Sequence, residues 1–115
     1  MSRGDVGIPR SHFLVLLSLA DTPRHGLGIV EEIEVRTGGA VQMGPGTLYG
    51  TLKRLAAEEL IAETATPPDP ENHDPRRKYY DLTPKGRSAL AEEASVLRDL
   101  VSVVREKDVL PESGR

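Results

Sequence analysis

The sequence contains no cysteine and no tryptophan, and it has no long apolar run. Without cysteine there is no disulfide framework, no thiolate nucleophile and no cysteine-bound metal. That absence suits a reducing cytoplasm, the setting expected for this chain. The greasiest stretch, residues 13–17, falls far short of the ~18 apolar residues of a membrane span. Residues 1–5 lack the apolar block of a secretion signal, so no membrane partner is expected. Aromatic residues make up only 3%, too few for a stacking platform that reads single strands. An excess of positive charge is also missing: 15 Lys and Arg face 18 Asp and Glu, for a net charge of −3. Any role on nucleic acid must therefore rest on local geometry rather than bulk charge. What is present is 115 residues, 37% hydrophobic and 29% charged, enough for one domain with a modest core.

The pattern is mostly helical. Ile8-Pro9-Arg10-Ser11 opens a first helix, with Pro9 in its first turn, where a missing N–H costs nothing. Phe13, Leu14, Leu16, Leu17 and Ala20 form a wide apolar face that Val15 and Leu19 extend, which predicts burial on two sides. Asp21-Thr22-Pro23 ends it. A second helix runs from about His25 to Arg36 on the stripe Leu27, Ile29, Val30 and Ile33, and Gly38-Gly39 stops it. Gly44-Pro45-Gly46 is a tight turn from which a third helix runs, from Thr47 to about Glu59. The segment from Leu60 to Thr64 reads as a strand. Pro67, Pro68, Pro70 and Pro75 then punctuate a polar loop, and a second strand follows from Arg76 to Leu82, closing a hairpin. Of the two strand tyrosines, one is expected in the core and one at the surface.

Thr83 and Pro84 supply a cap and a first residue for a last helix reaching about Lys107. Its apolar positions Leu90, Ala94, Leu97, Val101 and Val104 repeat at spacings of four, three, four and three, a coiled-coil-like seam. Flexible tails are expected at 1–7 and 111–115.

Three short helices followed by a hairpin is the order of a winged helix-turn-helix. The expected fold class is thus mainly α with a small β-hairpin (α+β). Residues 8–82 form the DNA-binding domain and residues 83–108 a C-terminal dimerisation helix. At about 100° per residue, Leu48, Leu52, Leu55 and Ala56 fall on the inner side of the third helix. Thr47, Gly50, Thr51, Lys53, Arg54 and Ala57 fall outside, with Tyr49 at the boundary. Small residues let a helix sit deep in a groove, and hydroxyls and cations then reach bases or phosphates. Arg76-Arg77-Lys78, the densest basic run, falls on the wing. It also reads as an edge strand protected by charge. The candidate contacts to double-stranded DNA are Thr47, Tyr49, Gly50, Thr51, Lys53, Arg54, Arg76, Arg77 and Lys78. The candidate dimer contacts are Phe13, Leu16, Leu17, Leu90, Ala94, Leu97, Val101 and Val104, because a helix of this length finds little room on its own core.

Catalytic chemistry finds no support. There is no nucleophile–base set and no phosphate loop with its lysine. His73 near Asp69, Glu71 and Asp74 reads as a solvated acidic loop rather than a metal site, which needs several oxygens held rigidly. No cofactor is implied, and His25 reads as a cap or packing residue at the start of the second helix. The acidic balance keeps open an alternative, a winged-helix module that binds protein instead of DNA.

Several short motifs, in order, resemble the PadR-like transcriptional regulators: His25-Gly26, Arg36-Thr37-Gly38-Gly39, Gly44-Pro45-Gly46-Thr47-Leu48-Tyr49, Leu52-Lys53-Arg54-Leu55, Leu60-Ile61 and Tyr79-Tyr80 through Leu82-Thr83 to Gly86. The resemblance covers about residues 13–100. It implies a homodimeric DNA-binding regulator, usually a repressor, with Thr47, Tyr49, Lys53 and Arg54 on the recognition helix and dimerisation by the last helix. It also leaves room for a small-molecule effector, often aromatic or toxic in such proteins. The chain departs from the family at Leu27, where Tyr is more usual, and at Gly50, where a bulkier residue or proline is common. Its wing loop is long and acidic, and without tryptophan no tryptophan-walled drug pore is expected between subunits.

Overall fold

A computed structural model describes residues 7–65, 71 and 74–112. Of the expected tails, 1–7 and 111–115, residues 1–6 and 113–115 lie outside the described residues, as do 66–70 and 72–73 of the wing loop with its His73. In chain order the elements are α1 (Arg10–Ser18), β1 (Arg24–His25), α2 (Gly26–Arg36), α3 (Pro45–Ala57), β2 (Ile61–Thr64), β3 (Tyr79–Leu82) and α4 (Pro84–Glu106).

Among the described residues the sheet has three strands, not two. It is antiparallel in the order β1-β3-β2, with His25 opposite Tyr79 on one side of β3 and Glu63 opposite Tyr80 on the other. A two-residue strand is too short to show alternation, so only its pairing with β3 reveals it. This strand binds the wing to the start of α2.

Helix α1 is shorter than its apolar pattern. Pro9 stands outside it as the N-cap, at φ −56° and ψ 149°, and the helix stops at Ser18. Ser18 is buried, and its hydroxyl donates to the Val15 carbonyl at 2.7 Å, which satisfies a polar group inside the core. The core gathers Val15, Leu16 and Leu19 of α1 with Ile29 and Ile33 of α2, Leu48, Leu52 and Leu55 of α3, and Ile61 and Leu90. Helix α1 is the hub, because α2, α3 and α4 all pack on it. This central place withdraws two residues from the expected dimer set. Leu16 is 0% exposed and Leu90 7%, so both are spent on the protomer's own core.

The turn between α2 and α3 closes on its own hydrogen bonds. Gly38 and Gly39 sit at φ +62° and +86°, where a side chain would be strained, and the Gly39 N–H donates to the Glu34 carbonyl at 2.8 Å. The Thr37 hydroxyl donates to the Ile33 carbonyl at 2.9 Å and accepts from the Val41 N–H at 3.0 Å. Helix α3 begins at Pro45, two residues before its expected start, and ends where Glu59 turns left-handed at φ 64°. Helix α4 starts as the sequence implies: Thr83 is its cap, and the Thr83 hydroxyl accepts from the Gly86 N–H at 2.9 Å. Past Leu90 the helix leaves the core, exposing Leu97, Leu100, Val101 and Val103.

Candidate nucleic-acid interface

Leu48, Leu52 and Leu55 hold one face of α3 against the core and leave Thr47, Tyr49, Gly50, Lys53 and Arg54 exposed. Thr51 is a correction to the expected contacts. It is only 5% exposed, because it follows Leu48 by three positions and precedes Leu55 by four, which puts it on the buried stripe. The angular layout read from the sequence sets it outside, but its spacing from Leu48 and Leu55 turns it inward. Ala56 errs the other way: set inside by the same layout, it is exposed.

Across from α3 stand the wing cations Arg76, Arg77 and Lys78, which lie in the turn before β3 and not on a strand from Arg76 as the sequence predicts. A cleft of about 430 Å³ lies between the helix and these cations, lined by His25, Gly26, Leu27, Tyr49, Arg76, Arg77, Lys78 and Tyr80. Its floor is the start of α2. Gly26 has no side chain there for a steric reason: a Cβ would come within 2.9 Å of the Tyr49 hydroxyl oxygen and 3.2 Å of Leu48 Cδ2. Helix α3 therefore rests its tyrosine on the α2 terminus. Burial, and then the nearby Glu63 and Tyr49, push the Tyr80 phenol up, so that ring lines the cleft as a neutral group. The expected split between the tyrosines is met only in part: Tyr79 is buried, but Tyr80 is half-buried against the core and not at the surface.

The cations differ in what they face. Arg54 pairs with Glu58 at 2.8 Å, Arg76 with Asp74 at 3.2 Å and Lys78 with Glu63 at 3.7 Å. Lys53 has no ion-pair partner among the described residues. Arg77 instead points Nη1 at Nε2 of His25, 2.8 Å away. His25 caps α2 as expected, its Nδ1 accepting from the Gly28 N–H at 3.1 Å, and it sets its ring edge-on to Tyr79 with centroids 5.3 Å apart. The link from His25 to Arg77 spans 52 positions and has no signal in the sequence. Arg24 is a second residue whose role only the fold reveals. Its Nε donates to the Ser18 carbonyl at 2.7 Å and its guanidinium pairs with Glu32 at 3.5 Å, tying the end of α1 to α2.

Burial first, and then the Arg77 charge, lower the His25 pKa below its ordinary 6.5. A lowered folded-state value means that the unfolded chain takes up the proton first as the pH drops. The contribution to stability is present above pH 6.5 and is lost as the pH falls below it. Urea midpoints should fall between pH 7 and 5 in the native chain and fall less in His25→Asn; equal pH slopes would exclude the effect.

Among the described residues no group of three or more His, Asp or Glu is placed to hold a metal ion. No described helix is long and apolar enough to cross a membrane.

A helix-turn-helix whose second helix stands exposed beside a three-stranded wing defines the winged helix-turn-helix class. Within that class the chain belongs to the PadR-like family of transcriptional regulators, whose description matches residues 15–92. This is a family of regulators, not of enzymes. The chain is 36% identical over 90 residues to "Transcriptional regulator Rv3488" of Mycobacterium tuberculosis, covering 78% of each protein. It is 38% identical over 99 residues to an uncharacterized 37.1 kDa protein in transposon TN4556 of Streptomyces fradiae, covering 86% of this chain but spanning only 26% of that protein. The crystal structure of a PadR family transcription regulator from Clostridium difficile superposes with a TM-score of 0.70 at 26% identity, over 85% of this chain and 97% of that one.

Proposed function

We propose that the chain is a cytoplasmic homodimer that represses transcription by seating both α3 helices in the major groove of a pseudo-palindromic duplex, about 34 Å apart. Thr47, Tyr49, Gly50, Lys53 and Arg54 reach the groove, and Arg76, Arg77 and Lys78 reach the backbone. Pairing of α4 with its copy, through Leu97, Val101 and Val104 with Ala94, Phe13 and Leu17 alongside, sets the separation of the two reading heads. A small-molecule effector would act by favouring one such separation. The observation that carries the reading is the open outer face of α3 beside a basic cleft.

Lys53→Ala should weaken binding to duplex fragments selected from genomic DNA by about tenfold, at unchanged melting temperature. It should also make the slope of log affinity against log salt shallower by about 0.9, the share of one neutralised phosphate. Gel-shift titration at several salt concentrations measures both. Unchanged affinity would remove α3 from the groove. The exposed Glu58, Glu59 and Glu63 favour the second reading, a protein-binding module, and a native salt slope near zero would select it.

A further inference from the structure

We propose that His25 is a positioning residue for DNA: it holds the Arg77 guanidinium at the mouth of the cleft, with its positive charge unspent, for a backbone phosphate. The inference rests on the DNA reading above and assigns a role to a residue that touches no base or phosphate itself.

The three wing cations are held in two different ways. Arg76 and Lys78 face the carboxylates of Asp74 and Glu63, which partly cancel their charge. Arg77 is exposed, has no carboxylate at ion-pair distance among the described residues, and is met by an imidazole instead. A neutral acceptor orients a guanidinium without neutralising it. A guanidinium has five N–H donors, so one contact to Nε2 leaves a fork free for a phosphate's oxygens.

His25 is itself well fixed. Its backbone pairs with Tyr79 across β1 and β3, its ring lies edge-on to the Tyr79 ring at 81°, and Tyr79 is buried in the core. The guanidinium is thereby referenced to the start of α2 and to the wing strand together. Part of the rotamer freedom that a phosphate contact would remove is already lost before DNA arrives. The ring has two suitors for one lone pair. A neutral imidazole has a single bare nitrogen, while both Gly28 N–H and Arg77 Nη1 point at the ring, the arginine at the shorter distance of 2.8 Å against 3.1 Å. Each tautomer serves one of them: with Nδ1 bare the ring caps α2, and with Nε2 bare it holds Arg77, so capping and positioning draw on different nitrogens of one side chain.

Two substitutions separate them. Asparagine at 25 sets its carbonyl oxygen near the Nδ1 position, which keeps the cap and abandons Arg77. Glutamine sets its oxygen near the Nε2 position, which keeps Arg77 and gives up the cap. Anisotropy titration of a fluorescent mixed-sequence duplex, about three helical turns long, follows binding across a salt series. Arg77→Ala should weaken native binding about tenfold and make the salt slope shallower by about 0.9. H25N should approach the affinity and slope of Arg77→Ala, the double variant should lose nothing further, and H25Q should bind nearer the native level although it melts lower. If binding followed melting temperature instead, with H25N native-like and H25Q weak, or if the losses of H25N and Arg77→Ala simply added, the positioning role would be overturned. A native chain that binds no duplex at all would overturn the DNA reading, and this inference with it.

Discussion

Gly86→Ala is expected to cost the fold roughly 2–4 kcal/mol, and to lower its melting temperature by on the order of 10–25 °C. The reason is a backbone contact. A Cβ at position 86 would land on the Leu60 carbonyl oxygen and 2.8 Å from the Leu60 carbonyl carbon. Neither atom is the end of a flexible side chain, so α4 itself would have to back away. That movement strains three bonds at one corner: Thr83 N–H to the Leu60 carbonyl at 3.1 Å, the Thr83 hydroxyl to the Glu59 carbonyl at 2.7 Å, and the cap bond from Gly86 N–H. The corner joins the end of α3 to the start of α4, so the reading head and the long helix would lose their common reference. Gly50→Ala is the control. Its Cβ meets nothing within 4 Å, and it should stabilise α3 by about 0.5–1 kcal/mol. Thermal melts followed by circular dichroism measure both. A Gly86→Ala melt within a degree or two of native would mean that the corner is not a fixed joint.

A second large effect is expected at the other end of α4. Leu97→Asp should turn the proposed dimer into a folded monomer, raising the dissociation constant at least about a thousandfold. Leu97 is 37% exposed and Val101 45%, on a stretch that continues past the last core residue, Leu90. An isologous pairing buries position 97 twice, so two unpaired carboxylates oppose association at once. The protomer should keep its melt in dilute solution, because the residues that build the core lie elsewhere. Light scattering across a concentration series reads the mass. A variant that stays dimeric would move the interface off this stripe, and one that unfolds would place Leu97 in the protomer core.

Much of this architecture is legible in the residue pattern, and the misses are of one kind. Proline and glycine punctuate locally, so Thr83-Pro84, Gly38-Gly39 and Gly44-Pro45-Gly46 mark helix ends within a residue or two. The seam of α4 shows as a repeat because the helix is long enough to display one. Thr51 misleads because it is set outside although its spacing from Leu48 and Leu55 puts it on the buried stripe. Leu16 misleads in the opposite sense: an apolar residue on a two-faced helix does not announce which neighbour takes it. β1 is invisible because two residues carry no period.

Within the interface, the exposed residues of α3 and the basic run of the wing can be read from the chain, since each is a local cluster. How they are joined cannot. By itself the sequence determined the number and order of the helices, the turn between the second and third, the cap of the last, and the family to which the chain belongs. All of these rest on interactions within a few residues or on a repeat along one helix. Only the tertiary structure decided that the wing has a third strand, that Leu16 is spent inside, that Gly86 must accommodate a carbonyl from Leu60, and that His25 meets Arg77. Each of these is a contact between segments far apart in the chain, whose existence depends on how whole elements pack and leaves no trace in local spacing.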